Sequence, residues 1–360
     1  MLWPLSETLE LIEPHIPDQL VSPEAFSHVK TITSLLPAAM SSYYVECRLA
    51  VNTTQVDFLT CVTAPDGGRD ILVGQSAKAG LPDIFLVHPL WHRAHDFFRQ
   101  WADPTSVLHG RIPLIWLEFD YVDNPVPQIP LPSFSFCLDP AYLSRGSRAQ
   151  RVTLCNIQQG REMAEVGLRL LFGSPLPPQN KQALFTCFDS LPVGGRIIHI
   201  SAMVARQPAV VKVYGSVPKD QFLAYLTQIG WPGSLPELID ILTTFCTPDT
   251  VDNNMFVDLT VGETVMPKLG IAFSQLQIEN LPDRDPRRQI LLEQCVQAGL
   301  CTPEKRDALL TWPGSFRAMF NGEKWPTRFR QWLDIKIAYQ PNHPLEVKGY
   351  LGFRPQFSLF

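Results

Sequence analysis

Five times along this chain, two strand-like segments stand side by side between helical stretches. The clearest pairs are Ile197–Arg206 with Ala209–Gly215, Met255–Gly262 with Glu263–Gln275, and Trp332–Gln340 with Leu345–Phe353. Less regular pairs lie at Ser42–Val51 with Gln55–Thr63 and at Leu114–Val122 with Pro132–Leu138. The links Gln207-Pro208 and Val261-Gly262-Glu263 are far too short for a parallel crossover, so the partners must run antiparallel. A recurring supersecondary unit is the strongest constraint a sequence can place on its fold. Here the unit is αββα. Ten antiparallel strands with helices on one face can close into a barrel, which removes the sheet edges and leaves a central chamber. The expected fold is therefore α+β: a ten-stranded antiparallel β-barrel of five αββα units surrounded by helices. Residues 1–360 are expected to form one such domain.

The helical stretches fit this layout. Two short helices precede Pro37, and Ser22-Pro23-Glu24 has the N-cap and proline of a helix start. Leu90–Trp101 is apolar at helical spacing. Three helical pairs follow: Gln158–Phe172 with Gln179–Ser190, Pro218–Ile229 with Leu235–Phe245, and Pro286–Gly299 with Pro303–Thr311. The Pro-rich stretch Asn124–Pro132 reads as the link inside the second strand pair.

Composition excludes several classes. A net charge of -5 gives no electrostatic case for nucleic acid. No apolar run reaches the roughly 18 residues of a membrane span, and the acidic start broken by Pro4 lacks the pattern of a secretory signal. None of the 8 cysteines forms a CxxC, and most sit in apolar segments, so reduced thiols in a cytoplasmic protein are expected. There is no glycine-rich phosphate loop and no GxSxG elbow. His88, His92 and His95 are spaced for one helical face, but Pro89 places His88 at the helix start, and surface or cap histidines are the simpler reading than a metal site.

Side chains alternate across a strand, so residues two apart share a face. In Ala209–Gly215 the apolar face, Val211 and Val213, must meet the helices, which turns Lys212 and Tyr214 toward the chamber. Glu346, Lys348 and Tyr350 repeat the pattern. Met266, Lys268 and Gly270 share a face, as do Asp334 and Lys336, while Asp258 joins from the strand before. The first pair offers Tyr44, Glu46 and Arg48, and the second Trp116, Glu118 and Asp120. A lysine on an antiparallel strand is most often a solvated outer residue. The recurrence of Lys-x-Tyr in two hairpins argues instead for a ring of interior cations, which is tolerable where an anion binds.

With Lys212-Val-Tyr214 and Lys348-Gly-Tyr350 on the second strands of hairpins in an αββα repeat, the chain resembles the aromatic prenyltransferases of the ABBA or PT-barrel type, and within them the dimethylallyltryptophan synthase class. It departs from that pattern at Val210, where the longer strand motif carries Arg, at Gly270, where it carries Tyr, and on Pro132–Leu138, which has no basic residue. The resemblance implies transfer of a dimethylallyl or longer prenyl group from its diphosphate to an aromatic acceptor, a small molecule or a peptide side chain. It implies a diphosphate site of Arg48, Lys212, Tyr214, Lys268, Lys336, Lys348 and Tyr350. It also implies a carboxylate that holds or deprotonates the acceptor, for which Glu46 and Glu118 are the two candidates; Glu46 lies on the first hairpin, and Glu118 in a more apolar run with Trp116 placed to stack on the acceptor. No cofactor and no Mg²⁺ are expected, and no DDxxD pair of the metal-dependent terpene enzymes occurs. The alternative, given the departures, is a barrel without chemistry that acts as a ligand-binding or accessory protein.

Overall fold

A computed structural model describes residues 3–50, 55–76, 80–121, 129–140, 142–143, 157–273 and 285–356. Cys155, most of Asn124–Pro132, and the expected strand ends Val51, Val122 and Gln275 lie outside the described residues. Ten strands form a closed antiparallel barrel: β1 (Ser42–Arg48), β2 (Val56–Thr63), β3 (Leu114–Phe119), β4 (Ser133–Cys137), β5 (Arg196–Ala202), β6 (Val211–Pro218), β7 (Asn254–Val261), β8 (Val265–Phe273), β10 (Thr327–Tyr339) and β11 (Glu346–Gln356). Each pairs with its neighbours in sequence, and β11 returns to pair with β1, from Tyr43 opposite Phe353 to Arg48 opposite Lys348. This is the PT-barrel architecture.

Helices precede each hairpin. They are α1 (Leu5–Ile12) and α2 (Pro23–Thr33); α3 (Gly68–Leu72), α4 (Asp83–Leu86) and α5 (Pro89–Ala102); α6 (Ile157–Phe172) and α7 (Pro178–Asp189); α8 (Phe222–Gln228) and α9 (Leu235–Phe245); and α10 (Pro286–Gln297) and α11 (Pro303–Thr311). Several starts follow local chemistry. Ser22, Ser234 and Thr302 each accept a backbone N–H in the first turn, with proline immediately after the cap or one residue on. His88 is the N-cap of α5 and accepts from the Leu90 N–H at 3.2 Å, while His92 faces Asp96 at 3.9 Å. Among the described residues, no group of His, Cys, Asp and Glu is placed to hold a metal ion. Nor is any helix long and apolar enough to cross a membrane.

Strand alternation divides the apolar residues into two bodies. Outward residues such as Val45, Phe58, Leu117, Phe136, Val213, Leu259, Ile271, Ile337 and Leu351 pack with the helices in one continuous core. Inward residues form a separate cluster: Tyr44, Cys61, Leu114, Trp116, Cys137, Ile198 and Trp332, edged by Leu59, Tyr142, Tyr214, Phe256 and Tyr350. The seven described cysteines are all free and buried.

Two details differ from the sequence-based expectation. Strand β5 ends at Ala202, not Arg206, because Met203 and Arg206 close the hairpin through the Val210 and Met203 carbonyls. Strand β10 starts at Thr327, five residues before Trp332, and pairs there with an eleventh strand, β9 (Gly314–Ala318). The alternation of Phe316 with exposed Ser315 and Arg317 is the signal that marks β9. A stack of aromatic rings, His15 on Phe316 at 3.7 Å, Phe316 on Phe329 at 4.8 Å and Trp3 on Phe320 at 4.1 Å, holds this extension to the N-terminal helices.

The β10–β11 seam depends on one close approach. Trp332 lies over Gly352, its cross-strand partner, and a Cβ there would stand 2.2 Å from the indole ring. The indole cannot swing aside, because its Nε1–H donates to the Tyr44 hydroxyl at 2.7 Å, which in turn donates to Asp334 at 2.5 Å. Gly352→Ala is therefore expected to lower stability by about 1–3 kcal/mol, the usual cost of overpacking, read as a lower urea midpoint at unchanged slope.

Candidate functional site

Because neighbouring strands are antiparallel, all five hairpin links lie at one end of the barrel and all helical connections at the other. The lumen is polarised along this axis. Charged side chains gather toward the hairpin end, from the last residues of β1, β3, β7 and β10 and the first of β2, β6 and β11. The aromatic cluster of Tyr44, Trp116, Trp332 and Tyr214 fills the middle and the far end. Tyr44 is the centre of that cluster, 5.4 Å from Trp116, 5.5 Å from Trp332 and 6.0 Å from Tyr350, ring to ring.

The pairing register puts Glu46, Arg48, Trp116, Glu118, Lys212, Tyr214, Lys268, Lys336, Lys348 and Tyr350 on the lumenal face. Lys212 from β6 and Lys336 from β10 reach the same Asp258 oxygen, each at 3.3 Å. Lys336 also lies over the Tyr350 ring, 5.3 Å from its centre. Lys348 donates to Glu46 at 2.6 Å. Arg48 stands between Asp57 at 2.9 Å and Glu346 at 3.2 Å, one strand further round. Lys268 is set apart: its side chain is exposed at the rim, and it senses Lys348 and Lys212 only through their charge. The Lys212, Lys336 and Lys348 side chains keep 16, 17 and 15% exposure although each points inward, so their exposed surface faces interior space.

Each of these three lysines thus has a carboxylate partner, which the sequence alone did not reveal. Glu118 is likewise engaged. Rather than lying in an apolar setting, it is an ion-pair partner of Arg206, which also grips Asp120 at 2.5 and 2.7 Å. Arg206, expected at the end of a strand, belongs instead to the β5–β6 link and reaches past β4 to β3.

The charges set one another's protonation. Burial opposes ionisation of Glu46, but Lys348 and then Lys336 outweigh it and hold the carboxyl well below the usual range. Asp258 is lowered in the same way, burial being overcome by Lys212 and then Lys336. Asp57 goes the other way: burial and the charge of Glu46, its cross-strand partner, push it up to about 6 despite Arg48. His199, on β5 against Tyr142 and Tyr214, is pushed down to about 3 by burial and stays neutral.

Among the described residues, three lumen-side polar atoms lack a hydrogen-bond partner: Ser133 Oγ, His199 Nδ1 and Asp258 Oδ1. Such atoms are rare in protein interiors and are ordinarily met by water or a ligand. Ser133, His199 and Asp57 carried no motif; their only sequence signal was polarity at an inward position of an otherwise apolar strand. No protein-family model matches the chain, and no curated protein matches it.

A pH measurement tests the charge arrangement. A buried acid with a raised folded pKa stabilises the protein fully below its unfolded value, near 4, and that contribution is lost as pH rises through the folded value. Wild type is therefore expected to lose ground against Asp57→Asn as pH rises from about 4 through about 6, in chemical denaturation at each pH. A difference that stays flat over this range contradicts the raised Asp57.

Proposed function

We propose that this barrel binds a prenyl diphosphate and transfers the prenyl group to an aromatic acceptor, as the resemblance to the dimethylallyltryptophan synthase class implies. The observation that supports this reading best is the convergence of Lys212, Lys336 and Lys348, from three strands, beside the Tyr214 and Tyr350 rings. Lysines supply charge to the leaving diphosphate as its C–O bond breaks. Aromatic faces attract the allylic cation, about 0.5–2 kcal/mol each, and keep water from it. The cation then forms a C–C bond with the acceptor ring, and the ring proton passes to the departing diphosphate. The acceptor would occupy the aromatic half of the lumen, between Trp116 and Tyr44.

Of the two carboxylates, Glu46 suits the acceptor better. It lies where the charged and aromatic halves meet, two residues from Tyr44, whereas Glu118 is held by Arg206. Held strongly ionised by Lys348, Glu46 is a weak base but a good acceptor for an N–H or O–H of the substrate. Glu46→Gln is expected to lower turnover by at least about tenfold with diphosphate binding kept or tightened, because Lys348 loses its counter-ion; unchanged turnover removes Glu46 from the mechanism.

A second reading, a barrel that binds a ligand without chemistry, is favoured by the carboxylate set against each of the three lysines and by the loss of the family's Arg at Val210 and Tyr at Gly270. Thermal unfolding with dimethylallyl, geranyl and farnesyl diphosphates decides first whether the ligand class is right. Binding is expected to stabilise the protein by about 2.7 kcal/mol at a hundredfold excess over Kd. Stabilisation without turnover on any aromatic acceptor favours the second reading. No shift with any of the three rejects prenyl transfer and leaves a barrel that serves another ligand or partner.

A further inference from the structure

We infer that Asp258 is the residue that sets the selectivity of the lysine site: an internal counter-ion that an incoming polyanion must neutralise by driving a proton onto it. This rests on the proposed diphosphate reading. The geometry is specific. One oxygen of Asp258 is shared by Lys212 and Lys336 at 3.3 Å each, distances long for charge-assisted hydrogen bonds. The other oxygen, Oδ1, is buried and has no hydrogen-bond partner. The carboxylate therefore already occupies the position between two lysines that an anionic ligand would seek, and it is poorly satisfied there.

Among the described residues, its immediate surroundings offer no other neutralising charge. Lys212 and Tyr214 flank it from β6, and Tyr214 is its cross-strand partner. From β8 it faces Gly270, the position where the resembled family carries a tyrosine; a Cβ at Gly270 would stand 3.1 Å from both the Asp258 Cβ and the Lys336 side chain. Lys336 reaches it from β10, and the buried Tyr350 of β11 lies close enough to feel its charge. His199, on the strand beyond Tyr214, is neutral.

In the empty site the two lysines keep Asp258 ionised. A diphosphate that engages both lysines removes that support and adds like charge beside a buried carboxylate, and both changes favour its neutral form. The proton comes from solvent, the carboxyl O–H bond forms as the ligand docks, and the new O–H can donate to a diphosphate oxygen. Binding and protonation are thereby linked, so the cost of neutralising Asp258 rises with pH. A neutral or singly charged ligand pays no such penalty, and this is the sense in which Asp258 sets selectivity.

The test is isothermal calorimetry of the full chain with inorganic pyrophosphate, in buffers of different ionisation enthalpy, for wild type and Asp258→Asn. The asparagine keeps the shape and removes the charge. Titration of pyrophosphate itself is common to both proteins and cancels in the difference. Wild type is expected to take up as much as one proton more than the variant on binding. The variant is expected to bind at least about tenfold tighter at pH 8, with the advantage shrinking as pH is lowered. If Asp258→Asn folds poorly, Asp258→Ser takes its place as the uncharged reference for the same difference. Equal affinity and equal proton uptake overturn the counter-ion role and leave the diphosphate reading standing. Binding by the variant alone supports the counter-ion role and removes diphosphates as the native ligand. Binding by neither overturns both.

Discussion

The pairing of β1 with β11 is the interaction on which everything else depends. It sets Glu46 opposite Tyr350 and Arg48 opposite Lys348 in the ladder, and an ion pair links Glu46 to Lys348 across 302 positions. Without it the ten strands would be an open sheet with two free edges, and the inward side chains would face solvent. With it, the inner face becomes a chamber, and the same lysines that would be ordinary surface residues acquire strong interactions with carboxylates. Closure is thus what converts a repeated αββα pattern into a site.

Closure also fixes the division of labour between the two faces. The outward residues of the strands are mostly aliphatic or aromatic and meet helices, so the barrel is stabilised from outside. That frees the lumen to carry unsatisfied polar atoms, paired charges and exposed aromatic faces, none of which a stabilising core would choose. Polarisation along the axis follows from connectivity: the hairpin end is built from strand termini, where long charged side chains can reach across, as Arg206 does to Glu118 and Asp120. The adjoining β10–β11 pair is reinforced from both sides, by Trp332 over Gly352 within and by the Trp312 indole of the segment after α11, which donates to the Trp332 and Gly352 carbonyls at 2.9 and 3.2 Å, without.

Much of this fold is written locally. Strand pairing was legible in the short links at Gln207-Pro208 and Val261-Gly262-Glu263, and face assignment in the alternation of Val211, Lys212, Val213 and Tyr214. Strand β9 was missed because its five residues pair only with an extension of β10 and carry one phenylalanine between exposed polar residues. The side-chain network was not legible at all. Which carboxylate meets which lysine depends on strands far apart in sequence: Glu46 meets Lys348 across the closing β1–β11 pair, 302 residues away, and Asp258 meets Lys212 from 46 residues away and Lys336 from 78. The apolar run around Glu118 pointed to a desolvated acid, yet the decisive neighbour, Arg206, comes from a link on the other side of two intervening strands.

The seam has a further consequence during synthesis. Strand β1 leaves the ribosome early, yet its partner β11 is complete only after residue 356 has been made. Throughout that interval, one edge of the growing sheet is unpaired and carries Tyr43, Val45 and Cys47 on a face that is wholly buried at the end. Helices α1 and α2 can cover that face, but they cannot supply the missing ladder, and non-local pairing of this kind forms slowly. Until β11 has been made, the nascent sheet is therefore open and curved, with a sticky margin.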